Sequence, residues 1–324
     1  MKIAINGFGR IGRSFFKQAL GNPNFEIVAI NDLGDFENLK YLLKYDTVYR
    51  GFNTPIPESI KLLQESDPAK LPWAELGVDV VIECTGVFDD YEKAKAHITA
   101  GAKKVLITAP GKGNEGVDGK IILLGLNDTE TKNFNIISNG SCTSNAISSV
   151  LAVLHEKLGI KKAILNTTHA YTATQEIVDG PAKNDFLRGR AGAANIIPSS
   201  TGAAKTITKV IPDLVNKFDG IALRVPVICG SIADVTFISN RPTNIEEVNQ
   251  ILIDASQDPK WKGLLTISTE PLVSSDILQS EIPAIIDLSL TRVVDGDLIK
   301  VLSWYDNEWA YSHTLILQLL NMLK

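Results

Sequence analysis

Three glycines and one aspartate near the start constrain this chain more than any other feature. Gly7, Gly9 and Gly12 spell G-F-G-R-I-G directly after a β-rich run, KIAIN (2–6). They open RIGRSFFKQAL (10–20), which has the spacing of an amphipathic helix. Asp32 follows Gly12 by 20 residues, at the end of a second β-rich run, FEIVAIN (25–31). Each part has a mechanical use: the first glycine makes the turn, the second lets a pyrophosphate approach the backbone, and the third lets helix and strand pack closely. The helix N-terminus offers free N–H groups and a positive dipole to phosphates. Asp32 can accept hydrogen bonds from a ribose and would repel a phosphate placed there, which favours NAD over NADP. A glycine turn that binds nothing is the plain alternative. Strand, helix and acidic residue all fall where the motif needs them, so dinucleotide binding is the better reading.

Strand-like runs alternate with helix-like ones through the first third, with DVVIECTG (79–86) and KKVLITAP (103–110) as later strands. That alternation predicts a parallel sheet wrapped by helices. The second half reads differently. KAILNTTHAYT (162–172), GIALRVPVICGSIADVTFIS (220–239) and LIKVLSWYDN (298–307) are long β-rich stretches, with a helical pattern at TNIEEVNQILIDASQ (243–257). They predict a mixed sheet with a helical face. EWAYSHTLILQLLNMLK predicts a final helix.

At 324 residues the chain has room for about two domains. A net charge of −5, with both signs spread along the chain, argues against a general nucleic-acid or anionic-membrane binder. No run of 18 apolar residues predicts a membrane span, and the N-terminus lacks a signal core. Three scattered cysteines, Cys84, Cys142 and Cys229, suit reduced thiols in a cytosol. They and the four histidines show no paired spacing for a metal site.

The chemistry centres on NGSCTSNAI (139–147). Cys142 precedes ISSVLAVLHEKLG, so it is expected at a helix N-terminus, where the dipole lowers a thiol pKa and favours the nucleophilic thiolate. A lone cysteine is more often a buried apolar residue, but the hydroxyls of Ser141 and Thr143 beside it weaken that reading. Such a nucleophile needs a base that is distant in sequence. His169, near a strand end in NTTHAYTATQ, is the best candidate. His155 reads as an exposed helix residue, and His97 and His313 have no neighbouring chemistry to recommend them. SSTGAAK (199–205), Arg224 in LRVP, and Arg188 and Arg190 in FLRGRAG each offer weak anion-binding signals; with the cysteine they suggest a phosphorylated substrate.

These stretches together resemble one family, phosphorylating glyceraldehyde-3-phosphate dehydrogenase. The matching segments include INGFGRIGR (5–13), LLKYD (42–46), ECTGVF (83–88), GAKKVLITAP (101–110), SCTSN (141–145), HAYTATQ (169–175), IIPSSTGAAK (196–205), LRVP (223–226) and SWYDNEWAYS (303–312), in the family's order from end to end. The resemblance implies an α/β fold: a Rossmann-type parallel-sheet NAD domain over 1–141, and an α+β catalytic domain with a mixed, largely antiparallel sheet over 142–307. A C-terminal helix, 308–324, is expected to pack back on the first domain. It implies that Cys142 attacks the aldehyde of glyceraldehyde 3-phosphate while His169 accepts the thiol proton. Oxidation by NAD then leaves a thioester that inorganic phosphate cleaves to 1,3-bisphosphoglycerate.

By motif match, Ser141, Thr143, Thr201 and Gly202 correspond to the attacking-phosphate pocket. Thr172 and Arg224 correspond to the site for the substrate's own phosphate, with Arg188 nearby. Gly7, Gly9, Arg10, Ile11, Gly12 and Asp32 match dinucleotide contacts, and Thr85, Gly86, Thr108 and Asn307 match contacts nearer the nicotinamide. The Asp179-Gly180-Pro181 turn resembles NAD-preferring members. The family implies no metal, a cytoplasmic location and a homotetramer, with no nucleic-acid or membrane partner. Departures are Ser144 and Ala146 within the cysteine motif, Ser66 where relatives often place an arginine, a short 49–67 stretch, a glycine-rich 111–120 and an unusual RVPVICGSIAD (224–234). Erythrose-4-phosphate dehydrogenase and a catalytically silent binding paralogue are the competing readings. HAYTATQ and STGAAK argue against the first, and intact Cys142, His169 and Arg224 against the second.

Overall fold

The computed structural model describes residues 1–182 and 185–323. They form two units: Met1–Ser141 with the segment from Ser312 onward, and Cys142–Tyr311. In the first, the described residues build a seven-stranded sheet in the order Lys61–Leu63, Glu26–Asn31, Lys2–Asn6, Val80–Glu83, Lys104–Ile107, Ile136–Ser138, Lys120–Ile121. Every pairing is parallel. The central strands are nearly continuous apolar runs, with Ile3, Ala4, Ile5, Val81, Ile82, Val105 and Leu106 fully buried, as a sheet covered on both faces requires. Strand order reverses between Lys2–Asn6 and Val80–Glu83. That switch point is where open α/β sheets leave a crevice at the strands' carboxyl ends.

The final helix runs Trp309–Met322; residue 324 of the expected 308–324 span lies outside the described residues. Within the first unit its side chains are tied by Asn139 Nδ2 donating to Thr314 Oγ1 (2.7 Å) and Asn321 Nδ2 to Thr131 Oγ1 (2.8 Å).

The second unit's described residues build an eight-stranded mixed sheet. Ile160–Ala170 lies at its centre, parallel to Phe218–Val225 and antiparallel to Ser231–Ser239, which pairs antiparallel with Leu298–Tyr305. Alternate residues Ala233, Val235 and Phe237 are buried, and helices Cys142–Leu158 and Ile245–Gln257 pack in this unit. The single β-rich stretch read over 220–239 is two strands. Pro226 has no N–H to continue a ladder. Gly230 turns the chain at φ +92°, where a Cβ would meet the Ser274 carbonyl oxygen at 2.4 Å.

Among the described residues, no helix is long and apolar enough to cross a membrane, and no group of three or more His, Cys, Asp or Glu could hold a metal ion.

Candidate active site

In the first unit the three glycines divide their labour as the motif demands. Gly7 has φ +94°, and a Cβ there would lie 2.7 Å from the Thr85 nitrogen. A Cβ on Gly12 would lie 2.1 Å from the Gly7 carbonyl oxygen, so only glycine lets the helix Arg10–Ala19 approach its strand. A Cβ on Gly9 would meet no atom within 4 Å, which leaves its backbone open to a ligand. A cavity of about 340 Å³ opens here, lined by Gly7, Gly9, Asp32, Ser66, Thr85 and Phe88 among others. Asp32 accepts from Phe8 N (2.6 Å) and Gly34 N (2.8 Å), one bond on each oxygen. A carboxylate retains lone pairs beyond these for ribose hydroxyls. This cradle, with a helix N-terminus and an aimed carboxylate, fits a dinucleotide.

Arg10 starts the helix with Ile11 beside it, and pairs with the buried Asp46 at 2.8 Å. Gly86 turns at φ +71°, and the Thr108 hydroxyl donates to the Glu83 carbonyl (2.9 Å). The structure brings Gly7, Gly9, Asp32 and Thr85 to one cavity; Arg10, Ile11, Gly12, Gly86 and Thr108 are not among the residues that line it.

In the second unit, Cys142 is the first residue of its helix, and His169 is the next-to-last residue of strand Ile160–Ala170. Cys142 Sγ lies 3.4 Å from His169 Nε2. Nδ1 lies 2.7 Å from the Ala170 carbonyl oxygen, which only accepts, and also meets the Arg224 guanidinium, which only donates; a neutral ring protonated on Nδ1 presents a bare Nε2 to sulfur. Parallel register sets Arg224 beside His169, with its guanidinium on the ring's Nδ1 side and 3.1 Å from the same carbonyl. Burial, then the Arg224 charge, lower the His169 pKa to about 3 against the pull of the carbonyl. The cysteine differs from the sequence-based expectation. Burial pushes its thiol up and outweighs the Arg224 charge and the Thr143 hydrogen bonds that pull it down. The pair is therefore a neutral thiol facing a neutral base.

Thr143 is buried. Its hydroxyl lies 2.9 Å from that of Tyr305, which lies 2.8 Å from Thr167 Oγ1 and packs edge-on to the His169 ring. Thr143 thus does not offer its side chain outward. Arg188 is held by Asp185 (3.0 Å) and donates to Ser199 Oγ (3.1 Å) and Thr174 Oγ1 (3.4 Å); Thr174 in turn lies 3.0 Å from Thr172 Oγ1. This joins Thr172 and Arg188 in one polar cluster. Gly202 caps the helix Ala203–Val210, and Thr201 Oγ1 accepts from Ala203 N (3.2 Å). Ser141 immediately precedes Cys142. Asn307 Oδ1 accepts from Gly230 N (3.0 Å) and Ser231 Oγ (2.9 Å), a fixed orientation that turns its amide donors the other way. Arg190 pairs with Asp179 at 3.0 Å. His155 is half-buried, not exposed: its Nδ1 accepts from Ile160 N (3.2 Å) where the helix ends.

Sequence reasoning passed over Tyr305, Asp185 and Thr174, and took in Ser199 only as part of the SSTGAAK stretch. Only Tyr305 left a usable signal, since strand alternation over Leu298–Tyr305 turns it to the buried face with Ser303.

The parallel sheet and its glycine cradle define a dinucleotide-binding protein. A family model described as the glyceraldehyde 3-phosphate dehydrogenase NAD binding domain matches residues 1–91, and one described as its C-terminal domain matches residues 141–307. The glyceraldehyde-3-phosphate dehydrogenase of Thermotoga maritima is 46% identical over 100% of this chain and 99% of its own. Glyceraldehyde-3-phosphate dehydrogenase 2 of Streptomyces arenae is 45% identical, and the enzyme of Geobacillus stearothermophilus 44%, each over 98% of this chain and 96% of its own. The chain belongs to the glyceraldehyde-3-phosphate dehydrogenase family.

Proposed function

We propose that this chain oxidises D-glyceraldehyde 3-phosphate, with NAD and inorganic phosphate, to 1,3-bisphosphoglycerate through a thioester on Cys142. One observation carries the reading: the Cys142 sulfur stands 3.4 Å from His169 Nε2, while Nδ1 meets the Ala170 carbonyl and the Arg224 guanidinium. The sulfur attacks the aldehyde carbon, and His169 moves the thiol proton to the new hydroxyl, giving a hemithioacetal. NAD held in the glycine cradle would supply the acceptor for the hydride, with its two electrons, that leaves that carbon. His169 accepts the hydroxyl proton as the carbonyl re-forms, leaving a thioester. Phosphate oxygen then attacks the acyl carbon, the C–S bond breaks, and the proton held by His169 returns to sulfur.

Arg224 and Thr172 would hold the substrate's phosphate, with Arg188 beside them. Ser141, Thr201, Gly202 and the main chain of Thr143 would receive the attacking phosphate. Gly7, Gly9, Arg10, Ile11, Gly12 and Asp32 would cradle the dinucleotide, and Thr85, Gly86, Thr108 and Asn307 would meet its nicotinamide half. The reading extends to a cytoplasmic homotetramer acting on small molecules. Three cysteines outside any disulfide suit a reducing compartment, and exposed Ile164 and Ile221 offer apolar surface for further copies of the chain.

The test is NADH formation with glyceraldehyde 3-phosphate, with and without inorganic phosphate, and with erythrose 4-phosphate for comparison. Phosphate-dependent turnover that prefers the three-carbon substrate is expected. Cys142→Ser should abolish it while leaving NAD binding measurable; full turnover in that variant would sink the covalent route.

A further inference from the structure

His97 sits on the helix Tyr91–Thr99 and is fully buried. Nothing adjacent in sequence suggests chemistry, yet the fold gives its ring four defined neighbours: Trp73, Glu83, Phe88 and Asn6, whose Nδ2 lies 3.4 Å from Nε2. Trp73 Nε1 donates to His97 Nδ1 at 3.0 Å. An indole nitrogen only donates, so Nδ1 is bare and the ring proton lies on Nε2. Nε2 stands 3.0 Å from Glu83 Oε2 and donates to it. The Phe88 ring meets the imidazole edge-on, centres 6.1 Å apart.

Glu83 is the buried last residue of its strand, and its carboxylate collects further donors. Asn6 Nδ2 reaches Oε2 at 2.6 Å; Thr85 N reaches Oε1 at 2.8 Å, and the Thr85 hydroxyl binds the same oxygen. Asn6 Oδ1 accepts from Asn31 Nδ2 at 2.7 Å. Asn6, Asn31, Thr85 and Phe88 line the 340 Å³ cavity, whereas Trp73, His97 and Glu83 stand behind it. Hydrogen bonds therefore run continuously from a buried indole to the cavity wall. Asn6 and Glu83 end the two strands that flank the switch point.

We propose that His97 is a positioning residue for the dinucleotide. Its Nε2–H holds the Glu83 carboxylate in one orientation, and the carboxylate holds Thr85 and Asn6 in the wall the cofactor rests on. This rests on the reading that the cavity takes NAD. A buried carboxylate with a full set of donors has a single low-energy orientation. Without the histidine donor, Oε2 keeps Asn6 alone, the carboxylate can rotate, and the Thr85 turn loses its anchor. That turn also depends on Val87 N donating to Thr85 Oγ1 at 3.1 Å. Packing alone would use the ring's volume; this arrangement uses each nitrogen for a different, directed bond.

Two amide substitutions separate the two nitrogens. His97→Asn places its amide near the former Nδ1 and keeps a partner for Trp73 while removing only the histidine's donor to Glu83 Oε2. His97→Gln reaches the former Nε2 position and restores a donor to Glu83 while giving up Trp73. NAD and ADP-ribose binding to the full-length protein would be measured by calorimetry, with thermal stability in parallel. H97Q is expected to bind NAD within about twofold of wild type and H97N roughly tenfold more weakly, the scale of a lost hydrogen bond to a buried charge. Wild-type binding in folded H97N overturns the proposal, as does equal weakening in H97N and H97Q that tracks stability alone. Should H97N fail to fold, Glu83→Gln sets an amide against one pair of donors and is expected to weaken NAD equally; unweakened binding overturns the proposal. A wild-type protein that binds neither NAD nor ADP-ribose overturns the reading of the cavity itself, a result distinct from normal wild-type binding with an indifferent His97.

Discussion

Replacing His169 with glutamine tests the electrostatics of the site without relying on turnover. The wild-type imidazole has its pKa lowered from 6.5 to about 3, by burial first and by the Arg224 charge second. In the unfolded chain the ring takes a proton near 6.5, whereas in the fold it stays bare until about 3. Protons therefore bind the unfolded state preferentially in between. The stability tied to the neutral ring is fully present above 6.5 and is lost as pH falls from about 6.5 toward 3. Each unit of that window is worth about 1.4 kcal/mol, so roughly 2 kcal/mol should be gone at pH 5. Carboxylates titrate in wild type and variant alike, and the difference between the two proteins isolates the ring. Urea unfolding of both, without ligand, at pH 7.5 and pH 5 is the assay. Wild type should lose about 2 kcal/mol more than His169→Gln between the two conditions. In NMR titration the His169 ring should show no protonation over that range, and Arg224→Met should raise its pKa. Equal losses in both proteins, or a ring that titrates near its ordinary value, would refute the argument. The weight given to burial and to the Arg224 charge in keeping the ring neutral at pH 5 would then be an error.

Gly12→Ala places a Cβ where the Gly7 carbonyl oxygen now lies 2.1 Å away. The helix must withdraw from its strand, at a cost of about 1–3 kcal/mol in unfolding free energy, and calorimetric NAD binding should fall with it; an unshifted unfolding midpoint would contradict the packing role. Asp32→Gly removes the carboxylate aimed into the cavity and should raise the use of NADP relative to NAD. An unchanged ratio of kcat/KM for the two cofactors would remove the ribose assignment.

The parallel sheet and its cradle were legible because they depend on local spacing. G-F-G-R-I-G, the runs on either side and Asp32 lie within 31 consecutive residues, 2–32, and the backbone angles those glycines need are a local property. The Cys142–His169 pairing was legible only as a choice among four histidines, decided by hydroxyl-rich neighbours. What escaped was set by register and burial. Arg224 affects His169 because two strands far apart in sequence pair in parallel with those residues side by side. That neighbourhood, with the desolvation it brings, also reversed the thiol pKa expected from a helix N-terminus. His97 was dismissed for want of neighbours, since Trp73, Glu83 and Phe88 reach it only through packing of the helix on the sheet. One physical reason covers both failures. The charge state of a side chain, and the bonds that fix it, depend on which distant residues exclude water from it, whereas a sequence window shows only its immediate neighbours. A histidine is therefore best judged by the partner at each ring nitrogen. By that measure His169, with Nε2 against sulfur and Nδ1 between a carbonyl and a guanidinium, is placed to move a proton. His97, with both nitrogens engaged by buried groups, is equipped to hold other residues still.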